Sequence, residues 1–313
     1  MTGNELAANG LVGENAVGQS GVPDLASAEL LPYGKYPVRI GAQVQPQRST
    51  YAEIRRMAER LEDLGVDILM NWDHFFSQYG SRSDSHFECW TMLGAWAEAT
   101  SRVELGPLVS CAAYRNPDLL ADMARTVDHI SDGRLILGIG AGWSEWDFTE
   151  YGYEYGSTAS RLDRLAASLI RIAHRLDRLN PPPRRDIPIL VGGNGPRRTL
   201  RIAAEHADIW HGFGTPAKLA ELHCRLDDWC AVVGRDPGEI ERSTRVLRKA
   251  PDEMGLALTE VGTRLFTLVI ESPKLDIGHV KDWLSFRDEF NGYQGPGAAP
   301  AFSPGDDHPG AVR

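Results

Sequence analysis

Short apolar runs alternate with amphipathic stretches along most of this chain. The run "VRIGAQV" at residues 38–44 precedes "TYAEIRRMAERLEDLG", in which Ile54, Met57 and Leu61 recur at helical spacing. A second apolar run, "VDILMNW", follows directly and ends in an asparagine and a tryptophan. This order predicts a strand, a helix and a second strand, which is the repeating unit of a parallel sheet.

The same alternation continues to residue 290 and predicts eight strands in all. The six further strands are predicted in "VELGPLVS", "RLILGIGAG", "IPILVGG", "ADIWHGFG", "EIERSTRV" and "LFTLVIES", each with a helical segment after it. Eight such units over about 255 residues match the (βα)8 TIM barrel and predict one catalytic domain at 36–290. A doubly wound open sheet is the alternative, and "GIGAG" partly matches the glycine fingerprint of that fold. However, the third glycine of the fingerprint is wrongly spaced, and no acidic residue ends a strand about 20 positions later.

Both ends of the chain have a different composition. Residues 1–34 are rich in Gly, Ala and Asn without periodicity, and residues 292–313 are rich in Gly and Pro. Such segments cannot bury enough apolar surface to fold, so both are predicted to be disordered.

Charge and cysteine content narrow the possible partners. The net charge of -10 repels polyanions, so no nucleic-acid partner is expected. The four cysteines show no C-x-x-C spacing, which favours a reducing, cytoplasmic compartment. No apolar run approaches the ~20 residues of a membrane span, and no signal peptide is visible at the start, so no membrane partner is expected.

In a (βα)8 barrel, the residues that end the strands converge at one face, where chemistry takes place. The second predicted strand ends in Trp72, Asp73 and His74. Asp73 and His74 are therefore among the candidates for a functional site at this face. The alternative is a turn aspartate beside a surface histidine.

Two neighbouring strand ends, "GIGAGW" and "VGGNGPRR", are rich in glycine. Glycine allows backbone N–H groups to approach an anion closely, and a helix N-terminus after the loop adds a favourable dipole. Two such loops favour a phosphorylated cofactor, although either one alone could simply form a tight turn. No spacing of His, Cys, Asp and Glu indicates a metal site, so no metal is expected.

Several of these segments together resemble a known family. "WDHFF", "LGPLVSCAAYRNPDLLADMARTVDHISDGRLILGIGAGWSEWDFTEYGYEYG" and "IPILVGGNGPRRTLRIAAEHADIWH" resemble the luciferase-like monooxygenase superfamily, in its coenzyme F420-dependent oxidoreductase branch, which is abundant in actinobacteria. The Asp-His pair is similar to that of the deazaflavin-using branch, whereas flavin-using luciferases tend to carry Glu-His-His.

The resemblance implies a (βα)8 barrel of the bacterial luciferase-like type and roles for residues at this face. Asp73 and His74 would lie at the deazaflavin ring as the catalytic pair, since neutral imidazole can accept or return a proton near neutral pH. The peptide bond between Leu108 and Val109 would be cis and support the back of the ring. The backbone that would hold the cofactor phosphate is that of Ala141, Gly142, Trp143, Gly193, Asn194 and Gly195.

The chain also departs from its sugar-phosphate dehydrogenase relatives. Trp143 stands where those enzymes carry an acidic glutamate, and Gln78 stands where they carry a tryptophan, which argues against glucose 6-phosphate. The residues expected to line the substrate pocket are Trp72, Phe75, Gln78, Trp143 and His211. The aromatic residues of this face favour a small apolar or planar substrate.

These observations predict an F420-dependent dehydrogenase or reductase that transfers hydride between the deazaflavin C5 and a small organic substrate. An FMN-dependent luciferase-like monooxygenase is the first alternative, because the same fold serves both cofactors. A non-catalytic F420-binding protein is the second. The resemblance also implies a homodimer.

Overall fold

The computed structural model describes residues 36–246 and 251–292. All of them belong to one compact unit, Leu31–Arg313. The predicted N-terminal tail lies outside the described residues, as does the predicted C-terminal tail after Gly292.

Parallel strands form a single sheet with the order β3-β2-β1-β9-β8-β7-β6-β5-β4. Their bounds are β1 Arg39–Val44, β2 Ile68–Asn71, β3 Glu104–Pro107, β4 Ser110–Cys111, β5 Leu137–Gly140, β6 Ile189–Gly192, β7 Ile209–Gly212, β8 Glu241–Val246 and β9 Leu265–Ile270. β3 and β4 are two halves of the predicted third strand, interrupted at Leu108 and Val109. The described strands therefore occupy eight positions.

The sheet closes between its third and fourth positions. Leu105 forms a parallel bridge with Leu135, and Ile136 donates its N–H to the carbonyl of Leu105 at 2.9 Å. On the other half of the interrupted strand, Ser110 pairs with Ile139. The prediction of a (βα)8 barrel is thereby confirmed.

Helices follow the strands and cover the outside of the barrel. Their bounds are α1 Tyr51–Leu64, α2 Cys89–Ala99, α3 Pro117–Ile130, α4 Glu145–Glu150, α5 Thr158–Leu176, α6 Thr199–His206, α7 Pro216–Val233, α8 Asp252–Glu260 and α9 Gly278–Phe290, with a 3₁₀ turn at Pro237–Glu239. The sequence pattern missed only α4 and the 3₁₀ turn among them. Within the described ranges, no helix is long and apolar enough to cross a membrane.

Helix α1 shows how local sequence fixes these boundaries. Thr50 accepts a hydrogen bond from the N–H of Glu53, whose carboxylate accepts from the N–H of Thr50 in return. The helix ends at Gly65, which adopts a left-handed φ of 93° that costs other residues energy. Its buried face includes Ile54, Met57 and Leu61, as the helical spacing predicts.

Apolar side chains form two layers on either side of the strands. The larger cluster fills the space between strands and helices. A smaller one fills the barrel itself and consists of Ile68, Met70, Ile136, Leu190, Ile209 and Leu265. The interior is thus a packed core, and only the rim at the carboxyl ends of the strands remains open for chemistry.

Below this apolar layer, charged side chains fill the amino-terminal end of the barrel. Arg39 donates to Glu104 at 2.5 Å and to both carboxylate oxygens of Glu241. Arg185 donates to the other oxygen of Glu104 at 2.7 Å. Each of these side chains is less than a tenth exposed, so the charges depend on one another for compensation.

Candidate active site

Asp73, at the end of β2, is fully engaged by protein groups. Its carboxylate accepts from the Ser110 hydroxyl at 2.8 Å, from the Cys111 N–H at 3.1 Å and from two nitrogens of Arg115. The residue is 3% exposed. This bidentate ion pair ties the end of β2 to β4 and the loop after it. Both carboxylate oxygens of Asp73 are thus hydrogen-bonded within the protein, and its catalytic role stays a prediction.

His74 has a different partner, which the sequence pattern did not reveal. Its Nδ1 lies 2.6 Å from the Oδ2 of Asp147, while the other carboxylate oxygen accepts from the N–H of Phe75 at 3.2 Å. The Asp147 side chain is buried completely, whereas 13% of the His74 side chain is exposed. This exposed part of His74 lies beside Trp143, with ring centroids 5.3 Å apart.

The charge of Asp147 follows from these contacts. Burial raises the pKa of a carboxyl, but the hydrogen bonds from His74, Ser144 and the Phe75 N–H outweigh it, and the pKa of Asp147 is lowered. The carboxylate is thus ionised at neutral pH and accepts from Nδ1–H. In that tautomer Nε2 of a neutral His74 carries the lone pair, so it can accept a proton from a substrate alcohol or, once protonated, return it.

Asp147 lies on α4, the short helix that the sequence pattern did not predict. The helix has only six residues, too few for a hydrophobic period to show. One signal was present in the letters "SEWD": a possible cap at Ser144 followed by acidic residues in the first turn. Nothing in the sequence indicated that this acid would meet His74, 73 positions earlier.

The interruption between β3 and β4 lies under the same rim. The Leu108–Val109 peptide bond is cis, as predicted. Val109 points toward glycines of the next two strands: a Cβ on Gly140 would lie 2.7 Å from its side chain, and one on Gly192 would lie 3.2 Å away. Packing against Val109 therefore explains these two glycines without any ligand.

The glycine-rich loops beyond β5 and β6 present further backbone groups. In the described part of the chain, no acceptor is bonded to the N–H of Ala141, Gly142, Trp143, Asn194 or Gly195. All five residues are at least partly exposed. Gly193 differs from its predicted role, because its N–H donates to the carbonyl of His211 at 3.0 Å. The remaining donors fit an anionic group such as a cofactor phosphate.

The predicted pocket residues divide into two groups. Trp143 is 67% exposed and Trp72, at 8%, contacts His74 edge-on at 6.0 Å, so both belong to the rim around His74. Phe75 instead stacks on Tyr151 at 3.8 Å in an aromatic cluster. Gln78 donates to the carbonyl of Phe76, and His211 is 1% exposed. Phe75 and Gln78 are partly exposed while His211 is buried, and the place of these three residues in a substrate pocket stays a prediction.

Buried histidines make the fold sensitive to acid. Burial lowers the pKa of His211 to about 3 and that of His86 and His223 to about 4. Between pH 6.5 and 4 the unfolded chain therefore binds more protons than the folded one. The free energy of unfolding then decreases by about 1.4 kcal/mol for each histidine and each unit by which the pH is lowered.

We expect urea unfolding at pH 7 and pH 5.5 to show this loss. The variant His211→Gln leaves the other two histidines in place. It should reduce the slope of the free energy of unfolding against pH by the contribution of one histidine. An unchanged slope in that variant would show that His211 is not buried in its neutral form.

Related proteins extend over part of this chain. An uncharacterised protein of Mycobacterium tuberculosis (strain ATCC 25618 / H37Rv) is 27% identical over 190 residues, covering 55% of this chain and 67% of that protein. The phthiodiolone/phenolphthiodiolone dimycocerosates ketoreductase of the same strain is 28% identical over 180 residues, covering 57% of this chain. The chain spans only 46% of that ketoreductase.

A solved structure and a family model agree with this fold. An F420-dependent secondary alcohol dehydrogenase in complex with an F420-acetone adduct superposes with a TM-score of 0.68 at 17% identity, covering 78% of this chain and 96% of that one. Residues 35–253, more than half of the chain, match the family model of the luciferase-like monooxygenases. The chain therefore belongs to the luciferase-like monooxygenase family.

Proposed function

We propose that this protein is a coenzyme F420-dependent dehydrogenase or reductase that transfers hydride between the deazaflavin C5 and a small apolar or planar substrate. The observation that carries the proposal is the His74–Asp147 pair at the open rim of the barrel, with Nδ1 and Oδ2 2.6 Å apart. Family membership and the fold shared with an F420-dependent alcohol dehydrogenase support it.

The residues of the rim fit such a cofactor. The N–H groups of the two glycine-rich loops would hold its phosphate, and Leu108 and Val109, both partly exposed, would support the back of its ring. When bound, the deazaflavin would supply or accept the hydride. The protein has to supply the matching proton, the orientation of the substrate and the exclusion of water.

His74 is the group that holds or moves this proton. Asp147 fixes its tautomer and stabilises the imidazolium that forms when a substrate alcohol loses its proton. Asp73 and Arg115 hold the end of β2, and hence the adjacent His74, at the rim. Trp143, packed edge-on against His74, would shield the reacting atoms from water once substrate is bound.

The first experiment is a titration of the purified protein with F420 and, separately, with FMN, following tryptophan fluorescence. Trp143 is exposed beside His74, so a cofactor ring bound there should quench its fluorescence. If the protein uses F420, quenching should saturate at a much lower concentration of F420 than of FMN. The Trp143→Phe variant should lose most of this signal while the F420 dissociation constant, measured by ultrafiltration, changes little. Tight FMN binding with weak F420 binding would contradict the proposal and favour the flavin-dependent monooxygenase.

A cytoplasmic location and a homodimer are part of the same proposal. The non-catalytic alternative is separated from the enzyme by the Asp147 variant described in the Discussion.

A further inference from the structure

A cavity of about 320 Å³ opens at the rim of the barrel. Its walls come from the ends of β1, β8 and β9 and include Gln45, Arg48, Tyr79, Arg245 and Glu271. In an eight-position barrel β1 and β9 lie opposite β6 and β5, which carry the glycine-rich loops, and β8 lies two positions from β6. The residues that line the cavity belong to neither of these loops.

Arg245 places a positive charge in the cavity. It follows Glu241 and Ser243 at two-residue spacing on β8, so it lies on the same, inward face of the strand and above them. Arg245 is exposed, and in the described ranges no carboxylate forms an ion pair with it. Its guanidinium carbon lies 5.6 Å from the centroid of the Phe213 ring. A guanidinium in this position presents several unused donors to a ligand.

Arg48 is a second cation in this wall, but it is partly compensated. Its Nε lies 3.3 Å from the carboxylate of Asp84. Its backbone adopts a left-handed φ of 52°, a conformation that is uncommon for residues other than glycine and often found at ligand sites. Among the described residues that line the cavity, Glu271 is the acidic one, and its side chain is engaged in interactions with the protein.

Tyr79 connects this cavity with the proposed reaction centre. Its ring lies 6.0 Å from that of Trp72, and the ring of Trp72 lies 6.0 Å from that of His74. These two ring contacts form a chain of aromatic side chains that leads from the cavity to His74.

We infer that the substrate is a planar or apolar alcohol or ketone that carries an anionic oxygen group, a carboxylate or a phosphate ester, bound by Arg245 with help from Arg48. This inference rests on the proposed function for the reacting end of the substrate. Its anionic end is tested separately, because binding to the cavity does not require hydride transfer.

The test uses matched probes that differ in one group: acetophenone, 4-acetylbenzoate and 4-acetylphenyl phosphate. Binding to the F420-free protein is measured by calorimetry at two salt concentrations. We expect one of the anionic probes to bind at least tenfold more tightly than acetophenone at low salt, and the choice between them identifies the anion. Equal affinities for the three probes would overturn the inference.

Variants assign the effect to Arg245. Arg245→Met should weaken the preferred anionic probe about tenfold and leave acetophenone unchanged, while Arg245→Lys should retain part of the affinity. Arg82→Met removes an equal charge at Trp146, outside the cavity, and should have no effect. An unchanged affinity in Arg245→Met would overturn the assignment.

The carboxylates of the F420 tail are the other possible source of an anion. If Arg245→Met weakens F420 and spares the anionic probes, the cavity holds the cofactor tail and the inference fails. A protein that binds the anionic probe but no F420 would contradict the proposed function and leave the anion site standing. The two failures are therefore distinguishable.

Discussion

Replacing Asp147 with Asn is expected to lower kcat about 100-fold or more while F420 still binds. The amide can still accept from the Phe75 N–H, but it presents an NH₂ group or a neutral oxygen to Nδ1 of His74 in place of a carboxylate. The imidazole then loses both its fixed tautomer and the charge that stabilises its protonated form. The measurement is steady-state turnover of F420 with the best substrate of a screen.

Rescue separates this role from a purely structural one. Asp147→Glu should restore part of the rate, because it returns a carboxylate to Nδ1 of His74. Thermal unfolding and F420 affinity serve as controls for folding. A kcat within twofold of the parent enzyme would remove His74 as the proton donor, and absence of turnover in the parent with every substrate would favour a non-catalytic binding protein.

The largest expected effect on stability is at the other end of the barrel. Arg39→Met should reduce the free energy of unfolding by about 3 to 5 kcal/mol, because it leaves the buried carboxylates of Glu104 and Glu241 without their shared cation. Glu104 keeps its ion pair with Arg185, but Glu241 loses the Arg39 guanidinium, and burial raises the pKa of Glu241 even with Arg39 present. Urea unfolding at pH 7 measures the loss.

The sign of the pH dependence provides a check. Without Arg39 the folded-state pKa of Glu241 rises further above its unfolded value, so the folded state binds an extra proton and stability decreases as pH rises. Arg39→Met should therefore be less destabilised at pH 5.5 than at pH 8. The matched control, Arg39→Met with Glu241→Gln, should recover much of the loss, and a single variant as stable as the parent would contradict the assigned role of the cluster.

Catalysis should be nearly independent of this cluster. The charges lie at the amino-terminal end of the strands, below the apolar layer of Ile68, Leu190 and Leu265, whereas His74 lies at the carboxyl end. At a temperature where Arg39→Met remains folded, kcat and KM should match those of the parent. The two large predictions therefore test the two ends of the barrel separately.

The order of elements was determined by the sequence alone. Alternating apolar runs and amphipathic helices specified eight strand positions, because strand and helix periodicities depend on neighbours a few residues apart. Caps such as Thr50 with Glu53 and a terminal Gly65 are equally local. The resemblance to a family supplied the Leu108–Val109 bond, and the structure confirmed it.

The partners at the site were decided only by the tertiary structure. Asp73 and His74 are neighbours in the chain, yet successive side chains at a strand end point in different directions. One therefore meets Arg115 and the other meets Asp147, on segments 42 and 73 residues away. Such contacts depend on barrel closure and on the short helix α4, whose six residues are too few to produce a periodic signal. The sequence by itself placed Asp73 and His74 at the carboxyl end of a strand, and the folded chain determined that the acid in contact with the histidine is Asp147.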